Sequence, residues 1–264
     1  MKIQRYHNCM RAVALQSGSN GNCFYIEAGK LKFLVDAGIS GRQAELRLQN
    51  LGIDIREVDF LLISHDHIDH VRSAGIYQRK FGIPILATEP TMDLSLAKFN
   101  LGQIDDLDYF RSGEALCLGD VEIETIPTTH DSIDGCAFVF EHDSSRVGVL
   151  TDLGCCFEGL AETVASLDAV FIESNYDPEM LAQGPYPQNL KNRISGTGGH
   201  ISNYESAELI TYNGPRLQWA CLSHLSEENN TPAHALKIHR NYIGDDFPLY
   251  ISTRYEATPI LSID

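Results

Sequence analysis

Apolar residues alternate with polar ones, or run unbroken, at 11–16, 22–27, 31–35, 58–64 and 84–88, and each stretch is predicted as a strand. Between the third and the fourth, the pattern Arg42, Ala44, Leu46, Leu48, Leu51 predicts a helix over about 41–51. A second series of strand-like segments covers 114–118, 120–126, 135–142, 145–151, 168–173, 217–223 and 248–253. Helical patterns interrupt it near 156–166, 187–194, 203–212 and 231–242, and a further helix is expected near 71–81. Two mixed sheets packed face to face with helices outside, an α/β arrangement, accommodate this order. No linker, repeat or low-complexity tract marks a boundary, so residues 1–264 are read as one domain, with 1–9 as a loose N-terminal extension or alternative start.

Composition changes this picture little: 43% hydrophobic and 21% charged residues are ordinary for a globular protein. The longest apolar runs, such as Phe60-Leu61-Leu62-Ile63, are too short to span a bilayer, and the first nine residues lack the order of a secretory signal. A cytoplasmic protein with no membrane association is expected. Seven cysteines without a Cys-x-x-Cys pair fit reduced, buried thiols better than disulfides or a zinc ribbon. A net charge of −16 opposes broad electrostatic capture of nucleic acid, although divalent metals would reverse the local sign at a single phosphate. No obligate protein partner is evident.

The candidate chemistry lies where strand-like segments end. Ile63-Ser64 runs into His65, Pro127-Thr128-Thr129 into His130, Val149-Leu150-Thr151 into Asp152, and Cys221-Leu222-Ser223 into His224. His65 and His67 are two residues apart, so in an extended chain they point to one side. Asp69 and His70 follow at the turn into the next helix. Four ligand-type side chains thus leave the chain within six residues, a spacing that suits zinc, manganese or iron.

The ordered set His65-x-His67-x-Asp69-His70, His130, Asp152 and His224 is similar to that of the metallo-β-lactamase superfamily. The resemblance implies an αββα sandwich of two mixed β-sheets with outer helices, and two divalent metal ions. By the family pattern His65, His67 and His130 hold one metal, Asp69, His70 and His224 hold the other, and Asp152 bridges them. Further segments resemble the YycJ (WalJ)-like branch: Ser17 to Cys23, Leu34 to Gly38, Glu173-Ser174-Asn175, Gly199-His200-Ile201-Ser202-Asn203 and Leu222 to Ser226. That branch is associated with exonuclease activity on DNA. The resemblance therefore implies a metal-dependent phosphodiesterase, with Asp69 orienting the attacking water and His200 donating a proton or binding a phosphoryl oxygen.

Rival readings are a cyclic phosphodiesterase for a small phosphorylated metabolite, as in PhnP-like relatives, a thioester, lactone or β-lactam hydrolase, and a non-catalytic metal-binding scaffold. The complete ligand set argues against the scaffold. His7, His142, His234 and His239 are read as surface or helix-face residues, and Asp36 as a buried hydrogen-bonding partner near the site. Ser17 to Gly21 lacks the Lys-Ser/Thr ending of a phosphate loop and is read as a tight turn. Arg72, Arg79, Lys80, Lys191 and Arg193 are candidate phosphate contacts, with solvated charge as the plainer alternative.

Overall fold

A computed structural model describes residues 10–263, so the expected extension at 1–9, with His7 and Cys9, lies outside the described residues. The chain opens with an antiparallel meander of β1 (Met10–Gln16), β2 (Cys23–Ala28) and β3 (Leu31–Val35). It then changes to parallel pairing, adding β4 (Phe60–Leu62), β5 (Ile85–Thr88) and β6 (Leu107–Phe110) in turn. The crossovers carry α1 (Gly41–Asn50), α2 (Ile68–Val71), α3 (Ala74–Phe81) and α4 (Glu89–Lys98). The second half repeats the plan. The strands β7 (Ala115–Leu118), β8 (Val121–Pro127), β9 (Cys136–His142) and β10 (Ser145–Leu150) are antiparallel, and β11 (Ala169–Glu173), β12 (Trp219–Ser223) and β13 (Leu249–Ile251) follow in parallel. Between β10 and β13 lie α5 (Leu160–Ser166), α6 (Pro178–Gln183), α7 (Gln188–Ile194), α8 (Asn203–Asn213) and α9 (Pro232–Ile243). Finally β14 (Leu261–Ile263) returns to the first sheet and pairs with β1.

The inner strands of each sheet are buried on both faces, which explains why many strands read as unbroken apolar runs. Alternate residues of β1 show the division: Met10, Ala12 and Ala14 enter the core between the sheets, while Val13 and Leu15 pack under the helices of the first sheet. Phe24 meets Phe171 and Phe33 meets Phe140 across the sandwich, each pair with ring centroids 5.2 Å apart. Burial of each such side chain is worth about 1.5–3 kcal/mol. The expected αββα sandwich is observed.

The differences from expectation are local. The helix expected near 71–81 is broken at Arg72 and Ser73, because the Ser73 amide donates to the Ala37 carbonyl (3.0 Å). The helices α4 and α6 and the short strands β6 and β14 were not expected. Both helices carry proline in the first turn and a side-chain N-cap, Thr88 and Asp177, which is their legible signal. No helix among the described residues is long and apolar enough to cross a membrane, and the six described cysteines are free thiols.

Candidate metal centre

In α/β sheets the loops beyond the carboxyl ends of parallel strands leave a crevice where distant residues meet. Here those exits carry the chemistry. Asp36 follows β3, His65 lies beyond β4, Asp152 beyond β10, Glu173 ends β11 and His224 follows β12, while His130 sits between β8 and β9. Asp36, Asp152 and His224 have left-handed backbones, with φ of 65°, 56° and 56°. For residues other than glycine this costs on the order of 1–2 kcal/mol each, and such strain concentrates at functional sites.

All seven expected ligands converge. His65, His67 and His130 bring ligand atoms within 4.8 Å of one another, as do Asp69, His70 and His224, and as do His65, His70 and Asp152. Asp152 lies between the two triads: its Oδ2 is 3.4 Å from His70 Nε2 and its Oδ1 is 3.7 Å from His130 Nε2. Surrounding groups orient the rings. His70 Nδ1 donates to Asp36 (2.7 Å), and His130 Nδ1 to the Gly199 carbonyl (2.7 Å), which leaves both Nε2 atoms toward the cluster. Asp36, expected near the site, also accepts from the Ser64 amide and hydroxyl.

The turn Ser17 to Asn22, a turn as expected, buttresses Asp69. The Asn22 amide donates to the Asp69 carbonyl, and the Gly38 amide to that of Asn22, both at 2.8 Å. A Cβ at Gly38 would lie 1.7 Å from the Asp69 carbonyl oxygen, so only glycine allows this approach.

The donor set fits a metal. Buried His65 Nε2, His224 Nε2 and Asp152 Oδ2 have no hydrogen-bond partner, although buried polar atoms are ordinarily satisfied. Burial, together with neighbouring His70, His130 and His67, pushes His65 well below the usual imidazole range and keeps it neutral, as a ligand must be. Burial opposes charge on His70 and His224 too, but nearby carboxylates outweigh it. Asp36, Asp152 and Asp69 raise His70 well above its ordinary value, and Asp152, Asp69 and Glu173 raise His224 to about 10. Asp69, despite burial, is held well below the usual carboxylate range by His70 and His224. The cluster thus carries buried carboxylate charge that bound cations or protons must offset.

His200 lines the same cleft, and its Nδ1 donates to Glu173 Oε1 at 2.6 Å. Glu173 is fully buried, lies 3.2 Å from His224 Nδ1, and accepts from the Leu153 and Ile201 amides. In the sequence Glu173 stands out only within the segment Glu173-Ser174-Asn175 that carries the family resemblance. Its signal was a lone carboxylate closing the apolar run Ala169-Val170-Phe171-Ile172.

Of the other histidines, His142 and His239 are buried rather than superficial, and His234 pairs with Asp177 at 3.0 Å. Of the basic candidates, Arg193 borders the cleft but is held by Asp131. Arg79 and Lys191 donate to carbonyls, and Lys80 pairs with Glu45.

A sequence model of the Metallo-beta-lactamase superfamily matches residues 17–154. The chain belongs to that superfamily. Its matched span contains six of the seven expected metal ligands, and His224 lies beyond it. Over 259 residues the chain is 35% identical to "Exodeoxyribonuclease WalJ" of Streptococcus pneumoniae, covering 94% of this chain and 96% of that protein. It is 31% identical over 220 residues to "Exodeoxyribonuclease YycJ" of Bacillus anthracis, covering 82% of each. The metallo-beta-lactamase fold protein YhfI of Bacillus subtilis superposes with a TM-score of 0.70 at 15% identity, over 95% of this chain and 99% of that one. This superfamily member is therefore YycJ-like in sequence along nearly its whole length.

Proposed function

We propose that this protein is a dinuclear-metal phosphodiesterase that removes nucleotides from DNA as an exonuclease. The observation that carries this reading is the convergence of seven ligand-type side chains on orphaned buried atoms, in a chain similar throughout to two proteins named exodeoxyribonucleases. His65, His67 and His130 would hold one ion, Asp69, His70 and His224 the other, and Asp152 would serve both. Zinc, manganese and iron all suit such mixed nitrogen and oxygen ligands. When bound, the ions supply an activated water and positive charge opposite the phosphoryl oxygens.

The chain's own residues do the rest. Asp69, fixed through its backbone by Asn22, orients the attacking water. Glu173 accepts from His200 Nδ1 and fixes the ring at the cleft, where Nε2 would give a proton to the departing oxygen or bind a phosphoryl oxygen. The cleft, of about 410 Å³, is bordered by Phe99 and Tyr186 as well as by the ligands, which suits a nucleotide base and its phosphate.

The test is hydrolysis of 5′-labelled single- and double-stranded DNA, with manganese or zinc, by wild type and Asp69→Ala. Stepwise loss of nucleotides that disappears in the variant is expected. Cleavage of bis(p-nitrophenyl) phosphate without any DNA product would instead assign the site to a small-metabolite phosphodiesterase.

A further inference from the structure

A second cavity, of about 400 Å³, adjoins the Ser17 to Asn22 turn. The two share that turn as a wall, since Ser19 lines the cleft and the adjacent Asn20 lines the second cavity. Three arginines, Arg47, Arg72 and Arg254, come together there from α1, from the break after α2 and from the segment after β13, and no aspartate or glutamate lines the cavity. In a chain of net charge −16 this local excess of cations is anomalous. The cleft, by contrast, is lined by Asp66, Asp69 and Asp152.

The hydrogen bonds of these arginines leave their charge largely uncompensated. Arg47 donates to the Leu15 carbonyl and the Gln16 side chain (each 2.6 Å) and to the Tyr255 carbonyl (2.9 Å), all neutral acceptors. Burial disfavours its charge, with no carboxylate opposing that effect. Arg72 donates to the Asn20 carbonyl. Arg254 donates to the Leu225 carbonyl (3.0 Å), and its one acidic neighbour, Glu227, is exposed at 3.4 Å. Arg47 and Arg254 are half-buried and Arg72 is exposed, and their forks are already oriented by neutral acceptors, so a tetrahedral oxyanion would meet donors fixed in place and displace at most the exposed Glu227 carboxylate. The first turn of α1, which contains no acidic residue, opens beside them at Ser40.

The geometry points to a phosphate-binding subsite at Arg47, Arg72 and Arg254 that holds an internal phosphate of a nucleic-acid strand whose end occupies the metal cleft. This rests on the nucleic-acid reading above and extends it to substrate length. Arg72 is three residues from Asp69, so a strand crossing the Ser19–Asn20 wall passes from one site to the other. Free phosphate shares the same chemistry, and the experiment separates the two sources.

In the first arm, the metal-loaded protein is titrated with inorganic phosphate while the arginine side-chain Nε–H signals are followed by NMR. The signals lost in Arg72→Gln and Arg254→Gln identify those residues. Saturable shifts at both in wild type are expected, and their absence overturns the subsite. In the second arm, affinity for single-stranded DNA is compared between a dinucleotide and a 12-mer across salt concentrations. The 12-mer should lose about tenfold in Arg72→Gln at low salt. The slope of log affinity against log salt should shallow by about 0.7, as for one phosphate. Unchanged length and salt dependence overturns the strand assignment and, with the NMR shifts present, leaves a free-phosphate site. If no DNA is cleaved at all, the functional reading fails, while the phosphate titration still decides the subsite. Arg72 is exposed, so its variant is expected to fold, and an unaltered melting temperature without phosphate verifies this.

Discussion

The Asp36 carboxylate accepts a 2.7 Å hydrogen bond from Nδ1 of His70, with both side chains buried and the two residues 34 positions apart. This contact fixes the His70 ring with Nε2 toward Asp69 and Asp152. Asn tolerates the left-handed backbone at position 36, so Asp36→Asn should keep the fold while weakening the anchor. Metal affinity should fall by about 10–100-fold. Chelator competition with metal analysis measures it, and unaltered affinity would show that Asp36 does not support the site.

His200 borders the cleft but stands outside the two histidine triads. Its replacement, His200→Ala, should leave metal content full while lowering turnover by roughly 100-fold or more, the range of a lost proton-transfer group. Metal analysis beside single-turnover kinetics separates this from a structural defect. Full turnover with full metal content would remove His200 from the mechanism.

Gly38 lies against the Asp69 backbone with no room for a methyl group. Gly38→Ala must move one of the two segments, so Asp69 is displaced. Both melting temperature and metal stoichiometry should drop, with a stability loss of about 1–3 kcal/mol. An Ala variant with wild-type stability and metal content would disprove this tight fit.

His239 predicts a pH effect remote from the metals. Its Nδ1 donates to the Ala235 carbonyl (2.9 Å) and its Nε2 accepts from the Ser206 hydroxyl (3.1 Å), an arrangement that requires the neutral ring. Burial pushes its pKa down to about 4 from 6.5. As pH falls below 6.5 the unfolded chain takes up a proton that the folded chain refuses. Stability contributed at neutral pH is therefore lost between pH 6.5 and 4, by about 3 kcal/mol in total. Urea unfolding of wild type and His239→Gln across this window should show a flatter pH dependence in the variant; equal slopes would contradict it.

The sequence by itself determined most of the elements and which residues are the candidate ligands. The run from His65 to His70 is local, so its spacing alone puts four ligand types at one strand exit, and buried strands announce themselves as apolar runs. Weak or remote signals were not legible. The helix α4 buries only Thr91, Met92 and Ser95, so it has little apolar periodicity and only its cap and Pro90 mark it, and β14 is a three-residue strand whose partner β1 lies some 250 positions earlier in the chain. Only the tertiary structure decided that Asp36 holds His70, that Glu173 joins His200 to His224, and that Arg47, Arg72 and Arg254 share one acid-free cavity. The reason is physical. Periodicity reports which face of an element is buried, whereas hydrogen bonds and charge clusters between loops depend on where separate strands end in space.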